Sequence, residues 1–398
     1  VTGHQIYHLP QLVAALPDDE RAIFDRIFHL QVSLGNLIIP PTMRPWVEQQ
    51  FGSVGRVKVQ QVVKVTNLVT LEGALFNPLR GMRPLDSVPR QENVRQVIEQ
   101  TRGDPFCRPE TMTPEDILGD EEGVQAGSGR VRGQYCITAA NIAKYDGYHS
   151  LVIFDEHDPL QIDLPRVHDY IDTAMRWAQR AHNADREAKY FFLLWNCLWK
   201  GGASVVHGHM QIALGRGMHY ARVEHWRRQA LLYRLAHGRN YFDDLYRVHE
   251  RLGLGVRLGE TRVLAYLTPV KEREILLISP TRWVQNDDFK NAIAQVLRCY
   301  IDVLGVQSFN MVLYQRPIDS VVEDWDGFPA IVRLVDRGEL EMRTVDIGCM
   351  ELYGSSVIVS DPFAVIQAIA GNKGLDSHLE ATPLPDVIRQ KRQRSRKE

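Results

Sequence analysis

One tract of the sequence groups side chains that could act together. "NCLWKGGASVVHGHMQIAL", from Asn196 to Leu214, places His207, His209 and Gln211 at alternate positions in an otherwise apolar run. Successive side chains of a β-strand point to opposite faces, so these three would share one face, with Gly208 and Met210 on the other. A half-buried strand with one polar face would show the same alternation. The residues just ahead add a second indication. Gly201, Gly202, Ala203 and Ser204 are small, which suits close approach of the backbone to a ligand such as a phosphate. A neutral imidazole, with an ordinary pKa of about 6.5, keeps a nitrogen lone pair that can attack phosphorus. Gln211 can donate to a phosphate oxygen without titrating, and Lys200, Ser204 and the backbone at Gly201 and Gly202 could add donors.

The rest of the chain has to position that tract. Its 398 residues can form two or three domain-sized units, and a net charge of -2 gives no broad footprint for nucleic acid. The terminal "RQKRQRSRKE" is basic and lacks apolar residues, so residues 376–398 are expected to form a solvated, disordered tail. No apolar run approaches a membrane span and no signal-peptide pattern opens the chain, so a cytoplasmic location is expected without membrane partners. Five scattered cysteines, an odd number, argue against a disulfide framework. Among them Cys107, in the loop-like "RGDPFCRPETMTPEDILG", is a candidate metal ligand.

To about Gly55 the chain reads as helical, with apolar residues three and four apart in "LPDDERAIFDRIFHLQVSL". The valine-rich "RVKVQQVVKVTNLVTLEG" reads as strands, and a long loop region rich in proline and charge follows, from Phe76 to about Gly129. Then a pattern occurs twice. "GQYCITAANIAKYDGYHSLVIF", "DLPRVHDYIDTAMRWAQRAHN" and "KYFFLLWN" read as strand, strand, helix, strand. "TRVLAYLTPVKEREILLISP", "NDDFKNAIAQVLRCYIDVLG" and "SFNMVLYQRP" read the same way. Two unrelated α+β units would also give this order. The first copy runs on into the two histidines and the second into "GFPAIVRLVDRG", so one copy carries the chemistry.

A duplicated α+β half with His-x-His-x-Gln after one copy's last strand resembles the galactose-1-phosphate uridylyltransferase branch of the histidine-triad superfamily. The resemblance covers the chain from Phe76 to about Tyr353. It implies an α+β fold of tandem histidine-triad-like halves, each an antiparallel sheet with flanking helices, behind an N-terminal helical extension. Residues 1–75 would be the extension, 76–258 the half with the motif, 259–375 the second half and 376–398 the tail. In that family an asparagine stands eleven residues before the first motif histidine and a serine three before it, which here are Asn196 and Ser204. "FNPLRGMRP" resembles the family's phosphate-contacting arginine element in compressed form, implying Arg80 and Arg83. Asn141, in "TAANIAKYD", resembles a nucleoside-contacting asparagine.

The family's structural zinc is held by a Cys-x-x-Cys loop, a P-x-H histidine and the first motif histidine. The matching positions here are Asp104, Cys107, His157 and His207, with a carboxylate in place of one thiolate. The resemblance further implies that His209 is the nucleophile and forms a covalent nucleotidyl-histidine. A nucleoside monophosphate would pass between a nucleotide sugar and a sugar 1-phosphate or phosphate, in a homodimer. Two other readings stay open: a phosphorylase acting on a dinucleoside polyphosphate or a nucleoside-diphosphate hexose, and a nucleotide-binding protein without catalysis. Two departures bear on this. "GFPAIVRLV" has no histidine for the iron site of the family's second half. In "RTVDIGCMELYG" Gly348 is in place, but Cys349 and Met350 stand where tyrosine and glutamate are expected, and Glu351 is one residue late. Galactose is therefore not the expected sugar.

Overall fold

The computed structural model describes residues 3–82, 94–118, 129–341 and 347–372. Thirteen strands are present among them: β1 (Phe28–Asn36), β2 (Val59–Asn67), β3 (Gly73–Phe76), β4 (Cys136–Ala140), β5 (Tyr148–Phe154), β6 (Ala188–Cys197), β7 (His209–Arg216), β8 (Gly255–Leu258), β9 (Thr261–Ala265), β10 (Ile275–Ile278), β11 (Phe309–Tyr314), β12 (Ile331–Asp336) and β13 (Ser356–Ile358). Nine form one antiparallel sheet in the order β4-β5-β7-β6-β11-β12-β10-β9-β8. The other four form a smaller sheet, β1-β2-β3-β13, closed by the parallel pair of β3 and β13.

The large sheet has a near-palindromic order. Two strands, a helix and two strands occur on each side of the central β6–β11 pair, and β8 extends one edge. The helix on the first side is Leu164–Ala184, with Asp163 as its N-cap accepting from Arg166 N at 2.9 Å. Its counterpart is Asp287–Asp302, capped by Asn286, which accepts from Phe289 N at 2.9 Å. Val167, Tyr170, Ile171, Ala174 and Ala178 of the first helix are buried at three- and four-residue spacing. Tyr170 stacks on Phe154 of β5 with centroids 3.8 Å apart. Lys290 Nζ of the second helix lies 3.0 Å from Asp172 of the first. Residues paired across antiparallel strands share a face. Val152, Met210, Ile212, Leu193 and Trp195 therefore lie on the helix-covered face with Phe154.

The opposite face carries the motif. Gln211, Leu194, Val312 and Arg333 form one row across β7, β6, β11 and β12. At the β12 end this face is sealed. Arg333 is buried, with Glu274 at 2.6 Å, Glu72 at 2.7 Å and its guanidinium over the Trp226 ring. At the β4–β5 end Phe106 packs on Ile137, Ala139, Leu151 and Ile153. Between these covers Gln211, Leu194, Asn196, Asn310 and Val312 are only half-buried.

One local expectation is corrected. The first helix does not run through "FHLQVSL": it spans Asp18–Ile27, and the chain continues as β1. Phe28, Leu30 and Val32 pair with Asn67, Val65 and Val63, so the apolar spacing changes from helical to alternating at Phe28. Two helices that the patterns did not indicate, Ala221–His237 and Tyr241–Arg251, lie between β7 and β8. β3, Gly73–Phe76, spans position 75. The basic tail from 376 lies outside the described residues.

Candidate functional site

His157 lies three residues after β5 and His207 two residues before β7, so the start of the β5–β7 pair brings their rings together. Their Nδ1 atoms are 3.0 Å apart. Cys107 Sγ is 3.4 Å from one and 3.5 Å from the other, and Asp104 Oδ1 is 3.4 Å from His207 Nδ1. One donor atom from each of the four residues lies within 4.8 Å of all the others. Asp104 and Cys107 come together because Asp104 caps the Pro105–Cys107 turn, its Oδ1 accepting from Phe106 N and Cys107 N. Gly103 N donates toward Cys107 Sγ at 3.3 Å.

The hydrogen bonds on the far side of each ring test whether this set fits a metal. His157 Nε2 faces Ile98 O at 2.9 Å, and His207 Nε2 faces Phe154 O at 2.8 Å. Carbonyl oxygens only accept, so both rings carry their proton on Nε2 and turn a bare Nδ1 inward. Burial lowers the His207 pKa, disfavouring a second proton. Two lone pairs, a sulfur and a carboxylate thus converge, and the buried Asp104 Oδ2 has no hydrogen-bond partner. Tetrahedral coordination at ~2.0–2.3 Å implies ligand separations of roughly 3.3–3.8 Å, a range that holds the Cys107–His157, Cys107–His207 and Asp104–His207 separations of 3.4, 3.5 and 3.4 Å. All four residues of the expected ligand set therefore come together in a cluster that could hold a cation.

His209 is the first residue of β7 and is buried. Its Nδ1 donates to His207 O at 2.8 Å, which fixes the other tautomer and leaves the Nε2 lone pair unprotonated. Burial holds its pKa below the ordinary value. Phe106 stands edge-on to the ring at 5.3 Å. Gly208, between the histidines, is needed for packing: a Cβ there would meet Phe154 Cδ2 at 2.5 Å. Gln211 follows on the same face. Its Oε1 lies 3.0 Å from His149 Nε2 and 3.2 Å from Tyr145 Oη. Asn141 joins this group, its Nδ2 being 3.3 Å from His149 Nε2.

Asn196 Oδ1 accepts from Asn310 Nδ2 at 2.7 Å, and the same amide donates to Gly201 O at 2.6 Å. This ties the loop after β6 to β11. A Cβ at Gly201 would meet Phe309 O at 2.8 Å, and Gly202 has φ +90°. Leu198, buried at φ 60° and ψ 176°, adopts a conformation that is almost confined to glycine. Ser204 is exposed on this loop. Arg80 lies in the Pro78–Met82 turn beyond β3, with its side chain exposed, and Arg83 lies outside the described residues. Gly348 opens a short helix, Cys349–Tyr353, and Glu351 accepts its N–H at 2.9 Å. Phe106, Tyr145 and His149 were not anticipated. Their place beside the motif depends on pairing between distant segments, which one sequence does not display.

No protein-family model and no curated protein matches the sequence. Solved structures do match the fold. An ADP-glucose phosphorylase from Arabidopsis thaliana, with bound ADP-glucose, superposes with a TM-score of 0.55 at 16% identity, over 76% of this chain and 95% of that one. A uridylyltransferase gives 0.52 at 14% identity, over 68% and 98%. A GalT-like protein from Arabidopsis thaliana gives 0.50 at 16% identity, over 68% and 92%. The chain has the fold of a uridylyltransferase. Its α+β architecture is thereby the expected one. No helix among the described residues is long and apolar enough to cross a membrane.

Proposed function

We propose that this chain is a divergent member of the galactose-1-phosphate uridylyltransferase family and a nucleotidyltransferase, moving a nucleoside monophosphate from a nucleotide sugar to a sugar 1-phosphate or phosphate. The observation that carries the reading is the fixed tautomer of His209, with a bare Nε2 two residues before an amide that can bind a phosphate oxygen. The His209 Nε2 lone pair attacks the α-phosphorus. An N–P bond forms as the P–O bond to the departing sugar phosphate breaks, and that oxygen leaves with the electron pair. The Nδ1 proton stays on the ring, where His207 O stabilises the positive charge that develops. An acceptor phosphate oxygen then attacks phosphorus and the N–P electron pair returns to Nε2. Both departing groups are stable without a proton, so Gln211 need only position and polarise.

Asp104, Cys107, His157 and His207 would hold a structural zinc ion, which fixes the His207 backbone against His209. Asn196, Ser204, Arg80, Arg83 and Asn141 are proposed nucleotide and phosphate contacts. The near-palindromic strand order supports two histidine-triad-like halves, at 76–258 and 259–375, and we expect a homodimer in the cytoplasm.

The acceptor follows from Glu351. That carboxylate caps its own helix at Gly348 and is one residue out of the expected place. Galactose 1-phosphate should therefore be a poorer acceptor than phosphate or another sugar phosphate. Acceptor kcat/KM values compared on one nucleotide donor test this, and a clear preference for galactose 1-phosphate would reject it.

A further inference from the structure

The Gln211 amide can present either its oxygen or its nitrogen to a substrate, and its neighbours decide which. The decisive group is a backbone N–H. Tyr145 N faces His149 Nδ1 at 3.3 Å and can only donate, so Nδ1 bears the lone pair and the ring proton sits on Nε2. That proton points at Gln211 Oε1, 3.0 Å away. Asn141 Nδ2 is farther from the same nitrogen, at 3.3 Å, and with this tautomer it faces a donor rather than bonding to it. Its oxygen is already held by Ala143 N at 3.0 Å. Tyr145 Oη, 3.2 Å from Gln211 Oε1, supplies the second donor. Both acceptor directions of Oε1 are thus filled from the β5 side.

We infer that His149 is a positioning residue: with Tyr145 it holds the Gln211 oxygen, so that the amide nitrogen is turned toward the group bound at His209. Residues i and i+2 of a strand are roughly 6.6 Å apart, so an α-phosphate oxygen on His209 Nε2 lies within reach of that amide. His149 is buried in the wall of the site. Burial lowers its pKa, which keeps it a neutral ring with one donor and one acceptor. Nearby Lys144, Asp146 and Asp116 act on its charge but do not alter which nitrogen meets Tyr145 N.

The inference rests on the proposed nucleotidyl transfer, and single-turnover labelling of the full chain by a nucleotide sugar tests the two separately. His149→Leu removes the donor, whereas His149→Gln places an N–H near the Nε2 position. His149→Leu should slow labelling about 10- to 100-fold, with nucleotide affinity changed less than threefold and His149→Gln restoring most of the rate. In a Gln211→Ala background, His149→Leu should have no further effect, because there is then no amide to orient. Tyr145→Phe, at a half-exposed side chain, should slow labelling about threefold and serves if His149→Leu does not fold. Labelling of His149→Leu at the normal rate, or an equal loss with Gln211 absent, overturns the inference while nucleotidyl transfer stands. No labelling of the unsubstituted chain by any nucleotide sugar or dinucleotide overturns both.

Discussion

The two motif histidines have opposite hydrogen-bonding histories, and those assign them different work. His207 gives its Nε2 proton to Phe154 O and turns Nδ1 into the cluster, whereas His209 gives its Nδ1 proton to His207 O and keeps Nε2 bare. A nitrogen committed to a metal cannot also attack phosphorus. Zinc is therefore expected at about one equivalent per chain when the protein is purified without chelator. Cys107→Ser should lower the occupancy and the melting temperature together, because binding energy of a structural metal is folding energy. Less than a tenth of an equivalent, with an unchanged melting temperature in Cys107→Ser, would discard the metal. That Asp104, Cys107, His157 and His207 come together was legible in the sequence through its resemblance, where they match at nearly the right spacing. His149 was not: it looks like any polar residue in "GYHSLVIF" until β5 is set beside β7 in register.

At the level of elements, the β5–β7 pair positions both the four-residue cluster and His209. Phe154 N donates to Gly208 O at 2.9 Å, and Gly208 N donates to His157 O at 3.1 Å, so one short ladder aligns the Asp104–Cys107–His157–His207 cluster with His209. Gly208→Ala would drive a methyl against the Phe154 ring and lies 3.2 Å from Glu156 O. It should cost about 1–3 kcal/mol and weaken zinc retention more than a core substitution of equal cost placed elsewhere. Denaturant melts and metal content, measured on both variants, check this, and unchanged zinc retention would count against the shared ladder. Strong periodic elements such as the Leu164–Ala184 helix and β6 were legible from local pattern. The switch at Phe28 was not, because an apolar residue there serves equally well as the last helical or the first strand position. The parallel pairing of β3 with β13 joins segments far apart in sequence, and no local signal marks it.

For the molecule as a whole, the repeated order of elements anticipated the layout of the large sheet, but not the cover over its second half. That cover rests on buried polar groups with consequences for stability. His249 donates from Nδ1 to Leu245 O and accepts at Nε2 from Leu267 N, and burial pushes its pKa down to about 4. His219 is likewise lowered to about 4 by burial. Both stay neutral in the folded chain, while an unfolded chain protonates them near 6.5. As pH falls below that value the unfolded state binds the extra protons, so stability is lost between about pH 6.5 and 4, by ~2 kcal/mol per histidine at pH 5. Urea midpoints at pH 7 and pH 5 should show the drop, and His249→Gln should make it smaller. An equal drop in that variant would remove His249 from the account.

The proposed function turns on one event, the attachment of a nucleotide to His209. The most direct measurement is the intact mass of the protein after incubation with a panel of nucleotide sugars and dinucleotides, followed by peptide mapping. The account predicts a gain equal to one nucleoside monophosphate residue, stable in base and released by mild acid, on the peptide carrying His209, and absent from His209→Gly. A label on another peptide, or one that persists in His209→Gly, would contradict it.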